Sequence, residues 1–262
     1  MVGIQSFLNV LGDVRACGLS FAVTGLQQKI ASGKTAKVAV PGYEQIEVRP
    51  RSSDFDVIRQ VFRDREYHIK SDYHRDLLQK RYQAILDSGL TPLIIDAGAN
   101  IGAASRYFQK VYPKSHVVAL EPDAENAAIA RMNCQGNSRI EVLEVALGGE
   151  SGFAEVISGD SHWAVQTKRS DAGLPIVTIN EILKQYPAHK LLIAKIDIEG
   201  FEGDVFQHNL EWIDRADLVY LEPHDWMLPG EASSRSFQQA FGERDFEMLL
   251  QGENILYVKR AL

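Results

Sequence analysis

Apolar residues recur at two spacings along the chain, and the change from one to the other sets out its elements. Ile4, Phe7, Leu8, Leu11 and Val14 follow a helical period that Gly18 and Gly25 interrupt. Two short alternating runs, 37–40 and 43–49, flank Pro41-Gly42 and predict a hairpin. A helix is predicted from Asp54 to Phe62, with Phe55, Ile58, Val61 and Phe62 on its apolar side, and another from Tyr73 to Leu86, ending at Ser88-Gly89. From Leu93 onward the period switches regularly. Strands are predicted at Leu93–Asp96, His116–Leu120, Ile140–Val145, Leu191–Ile198 and Leu218–Leu221. Helices between them run over Ala103–Tyr112, Ala124–Asn133, a short stretch capped by Asn180 and stopping before Pro187, a segment from Phe201, and Ser234–Phe241. Residues 152–168 suggest an inserted β-ribbon turning at Gly159-Asp160. The chain closes with strands Phe246–Leu250 and Ile255–Lys259.

Strands alternating with helices imply a parallel sheet. Only Gln251-Gly252-Glu253-Asn254 joins the last two strands, and a parallel crossover needs a dozen residues or more, so these two form an antiparallel hairpin. The expected fold is α/β: a class I methyltransferase (Rossmann-like) sheet, mostly parallel with an antiparallel C-terminal hairpin. Residues 1–90 form an N-terminal helical and hairpin extension and 91–262 the main domain. The first helical stripe suits packing within the chain or a homo-oligomer contact. Loose membrane association is the sharper alternative, and few Lys or Arg on the polar face argue against it.

Bulk composition narrows the partners. At 45% hydrophobic and 24% charged, the 262 residues read as an ordinary globular chain. A net charge of −7 argues against a broad nucleic-acid footprint. Cys17 and Cys134 lack metal or redox spacing and read as reduced thiols. No run approaches the length of a membrane span, and the first charge is Asp13, so neither stable membrane insertion nor a secretory signal is expected and cytoplasmic is the default.

The chemistry gathers at the predicted strand ends, where open α/β sheets bind ligands. Leu93 to Gly102 reads as a buried strand, a glycine turn and a helix start. Gly98-x-x-x-Gly102 lacks the dinucleotide fingerprint, and Asp96 at the strand end would repel a pyrophosphate. An acidic strand end suits a cationic ligand such as S-adenosylmethionine, with its amino group and sulfonium. The alternative is a structural turn with no ligand. Glu121 ends the second strand, where a carboxylate can accept both hydroxyls of a ribose, and Ala146 beyond the third leaves room for an adenine. In Lys195-Ile196-Asp197-Ile198-Glu199-Gly200 the polar residues alternate with isoleucines, so Lys195, Asp197 and Glu199 share one side; a self-satisfying Lys195–Asp197 pair is the plain alternative. Glu202 in the following first turn favours the helix dipole. Glu222-Pro223-His224 follows the fifth strand, and an imidazole there can take a proton near neutral pH.

Taken in order, Arg49 with Ser53-Asp54, Val61-Phe62 through Glu66-Tyr67, Asp96-Ala97-Gly98-Ala99-Asn100-Ile101-Gly102, Glu121-Pro122, Ala146-Leu147-Gly148, Lys195-Ile196-Asp197-Ile198-Glu199-Gly200-x-Glu202 and Glu222-x-His224 resemble the FkbM methyltransferases. The resemblance runs from about Lys37 to the C-terminus. It departs at Asn180, where the family usually has Asp, and at Gln207-His208, which replace a Gly-containing turn. It implies methylation by S-adenosylmethionine, typically of an oxygen on a sugar or natural-product scaffold, with a small-molecule or glycan acceptor. In that frame Gly98, Asn100 and Gly102 admit the methionine portion and Asp96 faces its amino group. Glu121 holds the ribose, Pro122 also contacts the cofactor, Ala146 borders the adenine and Asp197 lies near the methyl donor. His224 is the first choice of base and Glu199 the second. Tyr67, Trp163, Lys195 and Glu222 line the acceptor mouth, where exposed aromatics beside carboxylates suit a sugar. Three alternatives stay open: a cation on Asp197, Glu222 and His224 that acidifies the acceptor, an NAD(P) oxidoreductase, and a catalytically silent nucleotide-binding module.

Overall fold

The apolar run of the first predicted strand becomes an inner strand of a seven-stranded sheet in a computed structural model that describes residues 2–28, 33, 35–158 and 165–260. We number that sheet's strands β1 (Thr91–Ala97), β2 (His116–Leu120), β3 (Ile140–Leu143), β4 (His189–Ile196), β5 (Leu218–Leu221), β6 (Phe246–Gln251) and β7 (Asn254–Lys259). Leu93, Ile94 and Ile95 are fully buried, as befits a strand covered on both faces. The spatial order is β6-β7-β5-β4-β1-β2-β3, with β5, β4, β1, β2 and β3 parallel and β7 antiparallel to both of its neighbours, β5 and β6. This is the expected class I methyltransferase sheet. The chain runs outward from β1 to β3 and then returns to β4 on β1's other side, so strand order reverses between β1 and β4. Ala97 pairs with Leu120 on one side and Ile196 on the other, and Ile196 pairs with Leu221. The carboxyl ends of β1, β2, β4 and β5 therefore finish at one level, and the candidate residues follow immediately.

Several boundaries differ from expectation for local reasons. The third strand stops at Leu143, and Ala146–Leu147 instead pairs with Leu174–Val177 in a separate four-stranded sheet. The ribbon expected at 152–168 belongs there too, as Gly152–Ser158 antiparallel to Val165–Ser170; its turn lies outside the described residues. The helix Ile179–Gln185 is capped by Thr178, not Asn180. Thr178 and Glu181 form a reciprocal capping box, whereas Asn180 lies inside the helix and donates to the Asn209 carbonyl and Glu211. Gly25 does not end its helix, which runs over Leu19–Gln28; a Cβ there would come within 2.4 Å of the Phe55 ring, so glycine serves close packing.

The N-terminal segment covers one face of the sheet. Phe55, Ile58 and Tyr67 share an apolar cluster with Ile94, Phe108 and Tyr220. Asp13, fully buried on the first helix, accepts from both Arg59 and Arg63 and ties that helix to the segment. Arg49 pairs with the buried Asp54 at 2.7 Å and donates to Asn126 beyond β2. Among the described residues no helix is long and apolar enough to cross a membrane.

Candidate active site

A cleft of about 1640 Å³ opens across the carboxyl ends of β1, β2, β4 and β5. Its floor is the turn after β1. Gly98 has φ +74°, and its N–H donates to the Leu120 carbonyl. A Cβ on Gly98 would lie 1.7 Å from the backbone oxygen of Asp197, so only glycine lets β1 and β4 close together here. Asn100 also takes a positive φ, +49°, and its N–H donates to Glu121 Oε2 at 2.7 Å. Its buried Oδ1 has no hydrogen-bond partner, which leaves an unused acceptor in a residue that lines the cleft. Gly102 is different. It caps the Ala103–Val111 helix with φ +79°, and a Cβ there would meet Cys134 Sγ at 3.1 Å; it serves helix packing and does not line the cleft.

Asp96 departs most from expectation. Its carboxylate is fully buried and absent from the cleft wall. Oδ2 accepts from Ser105 Oγ at 2.5 Å, and Oδ1 lies 3.3 Å from the Lys195 ammonium. The reason is register: Asp96 pairs with Lys195 across β1 and β4, so two opposite charges meet beneath the turn. Lys195 is equally committed. At 2% exposure it also bridges to Asp197 at 3.3 Å and donates to the carbonyls of Ala97 and Gly98. An ammonium has three protons, so Lys195 has none left for an acceptor. The carboxylate that does face the cleft at the glycine turn is Asp197.

On the β2 side, Glu121, Pro122 and Ala146 all line the cleft. Glu121 accepts from the N–H groups of Asn100 and Asp123 and from the Asn126 amide. Burial nevertheless dominates and pushes its carboxyl up to about 7.

On the other side, Asp197, Glu199, Glu222 and His224 converge. β4 ends at Ile196, so strict alternation does not carry Glu199; a left-handed residue does, with φ +54°. Gly200 follows with φ +93° and returns the chain to the Glu202–Val205 helix. Glu202 was expected only to favour the helix dipole. Instead it accepts from the N–H groups of Ile198 and Gly200 and from His224 Nδ1 at 2.8 Å. His224 Nε2 then faces Glu222 Oε1 at 3.6 Å, Asp197 Oδ1 at 3.8 Å and Glu199 Oε2 at 3.9 Å. Burial pulls the imidazole pKa down, but the Glu202 hydrogen bond and the charges of Glu202, Asp197 and Glu222 outweigh it and raise it to about 9. Burial, then the Asp197 charge, raises Glu199 to about 7 and Glu222 to about 8.

Tyr67 borders the cleft from below: its ring packs on Phe108 and Tyr220, and its carbonyl accepts from the Tyr220 hydroxyl. Trp163 lies outside the described residues. The aromatic residue exposed at the rim is Trp226, 73% accessible and 6.4 Å from the His224 ring, which the sequence reading did not single out.

The chain as a whole is similar to known proteins. The chain is 25% identical over 158 residues to the 2-O-methyltransferase NoeI of Sinorhizobium fredii (strain NBRC 101917 / NGR234), a match spanning 52% of this chain and 65% of that protein, just under two thirds of it. Two solved structures align with the chain at low identity. An O-methyltransferase from Bacillus cereus in complex with SAH aligns at 15% identity and TM-score 0.38, covering 80% of this chain and 92% of that one. A methyltransferase from Geobacter sulfurreducens aligns at 20% and 0.36, covering 79% and 88%. The family model of the methyltransferase FkbM domain matches residues 96–251, from the carboxylate beneath the glycine turn to the last hairpin, and the chain belongs to the FkbM methyltransferase family.

Proposed function

We propose that this protein transfers a methyl group from S-adenosylmethionine to a hydroxyl of a sugar or natural-product scaffold. The observation that carries this reading is the sign of charge in the cleft. Glu121, Asp197, Glu199 and Glu222 all present carboxylates to it, and of the three described lysine and arginine residues that line it, Arg49, Arg51 and Lys195, the first is paired with Asp54 and the last with Asp96 and Asp197. A dinucleotide pyrophosphate would meet repulsion there, and a sulfonium with a free ammonium would meet attraction. The turn fits such a ligand: Asn100 lines the cleft, and its Oδ1 is an acceptor with nothing yet to accept from.

When bound, S-adenosylmethionine supplies an electrophilic methyl group on a positively charged sulfur. Gly98 and Asn100 would hold its methionine portion, with Asp197 as the facing carboxylate in place of Asp96. Glu121 would accept the ribose hydroxyls, and Pro122 and Ala146 would bound the base. On the other side the acceptor oxygen has to be aligned, which in such a displacement supplies most of the rate. Glu199 and Glu222 line that half, and neither accepts a hydrogen bond from a described residue, so both are free to orient the hydroxyl and take its proton. His224 serves less well as the base. Three carboxylate oxygens face its Nε2 and favour a positive charge at that point. Trp226 offers the flat apolar surface on which a sugar ring stacks.

S-adenosylhomocysteine at about 100 times its Kd should stabilise the protein by about 2.7 kcal/mol, near 5 °C for a chain of this size. NADH should give no shift. Labelled S-adenosylmethionine should then methylate a member of a panel of glycans and polyketide glycosides. A shift with NADH and none with S-adenosylhomocysteine would overturn the assignment.

A further inference from the structure

We propose that Asp197, Glu199 and His224 form a binding site for a divalent metal cation at the acceptor end of the cleft. One ligand atom from each lies within 4.8 Å of the others. The imidazole makes this more than a group of acids. Its side chain is only 3% exposed, and its Nδ1 proton is committed to Glu202, which leaves Nε2 as the nitrogen turned toward the carboxylates. Nε2 makes no hydrogen bond with them. The nearest oxygens stand at 3.6, 3.8 and 3.9 Å, beyond the roughly 2.7–3.2 Å of an N–H···O bond. A proton on Nε2 would satisfy none of the three well.

A metal ion would. At ligand bonds of about 2.0–2.2 Å, neighbouring ligands of an octahedral ion stand about 3 Å apart and opposite ones about 4.3 Å apart. The separations of Nε2 from Asp197 and Glu199, 3.8 and 3.9 Å, fall between these limits, so small side-chain adjustments close the shell. Glu202 completes the arrangement from behind. It fixes the ring through Nδ1 and is itself held by the Ile198 and Gly200 N–H groups, as outer carboxylates fix metal-bound histidines. The local charge agrees: Lys195 is shared between Asp96 and Asp197, and no described lysine or arginine pairs with Glu199 or Glu222. One imidazole with two carboxylates suits Mn²⁺, Fe²⁺ or Zn²⁺ better than Ca²⁺. This differs from the sequence expectation, which grouped Glu222 with Asp197 and His224 and left Glu199 as a base.

The purpose of the ion rests on the methyl-transfer reading. Three protein ligands leave adjacent open positions, which two neighbouring oxygens of a vicinal diol would fill; the acceptor class is therefore a vicinal diol. The acceptor O–H passes its proton to Glu222 while the new O–CH₃ bond forms and the S–CH₃ bond breaks. The products are a methyl ether, a neutral thioether and a protonated Glu222.

The test needs no acceptor. Mn²⁺ is titrated into the chelator-treated full chain without cofactor, and free Mn²⁺ is followed by its electron paramagnetic resonance signal. One ion per chain is expected. Glu199→Gln and His224→Gln should each weaken binding at least about tenfold, and Glu202→Gln about 10- to 100-fold, with thermal melts verifying that each variant is folded. Glu253→Gln should leave the titration unchanged. Glu66, Glu222 and Glu253 form the other acidic group here, so loss of binding in Glu253→Gln alone would place the ion there and overturn the proposal. So would wild-type protein that binds no Mn²⁺, or Glu199→Gln and His224→Gln variants that bind like wild type. A thermal shift with S-adenosylhomocysteine, read separately, distinguishes the two ideas. A shift without Mn²⁺ binding sinks the metal site alone, and Mn²⁺ binding without a shift sinks the methyl-transfer reading alone.

Discussion

Replacing Lys195 by Met tests whether the cleft floor stands on a buried charge pair. The variant keeps an unbranched side chain one heavy atom shorter and removes its charge. Asp96, fully buried, then faces only Ser105 and has lost its counter-charge. Removing one partner of a buried pair costs about 4 kcal/mol, the middle of the ~3–5 kcal/mol range for such losses. With about 2.1 cal/mol/K of unfolding entropy per residue, 262 residues convert this into a melting temperature lower by about 7 °C. Differential scanning fluorimetry at pH 7 reads it directly. The double variant Lys195→Met/Asp96→Asn removes both charges and should recover at least half of the loss. Asp96→Asn alone should also melt early, because it leaves the Lys195 ammonium with Asp197 as its one remaining carboxylate. Its affinity for S-adenosylhomocysteine, measured well below the melt, should stay within about threefold, since Asp96 does not face the cleft. A Lys195→Met variant that melts within 2 °C of wild type, or a double variant no better than the single, would refute the account.

Three further outcomes follow from the same geometry. Glu121 carries a carboxyl held near 7, above its ordinary value, so it takes up a proton in the folded protein as pH falls from 8 to 6. S-adenosylhomocysteine binding by calorimetry should weaken about tenfold over that range, and Glu121→Gln should bind weakly with a flat profile. The same shift has a stability sign: between about 4.5 and 7 the unfolded chain has lost this proton while the folded one keeps it, so the Glu121 contribution falls as pH rises. Gly98→Ala, which sets a Cβ 1.7 Å from a backbone oxygen, should abolish cofactor binding or folding. Gly102→Ala, whose neighbour at 3.1 Å is a side-chain sulfur, should fold and bind, judged by fluorimetry with S-adenosylhomocysteine. Trp226→Ala should raise KM for the acceptor about tenfold and leave cofactor affinity unchanged, because an exposed ring at the rim touches only what arrives there. Equal loss of cofactor binding would put the acceptor elsewhere.

What the sequence revealed and what it hid follow from how far each physical signal reaches. Strand positions were legible because a central parallel strand needs an unbroken apolar run. Leu218–Leu221 and His116–Leu120 were read to the residue for that reason. Once the strands were in place, Glu121, Asp197 and Glu222 had to sit at the cleft, since whatever follows a parallel strand emerges at its carboxyl end. Direction is harder than position. Asp96 and Asp197 are both acids at strand ends, and only the Lys195 register across β4 decides that one is spent below the turn while the other faces the cleft. That signal was available in outline, as an opposite charge near the end of another central strand, but strand order is needed to make the two neighbours. The Thr178-x-x-Glu181 capping box was readable locally and outranks Asn180, which sits two residues past the cap. Trp226 left no trace at all, because a loop residue two places beyond His224 belongs to no period. Glu202 shows the same limit from the other side. Its first-turn position suggested only a helix dipole, yet the two positive-φ residues before it, Glu199 and Gly200, fold the chain back so that its carboxylate reaches the imidazole. A backbone reversal of that kind converts a routine acid into the residue that decides which nitrogen of His224 faces the cleft, and with it what the cleft can bind.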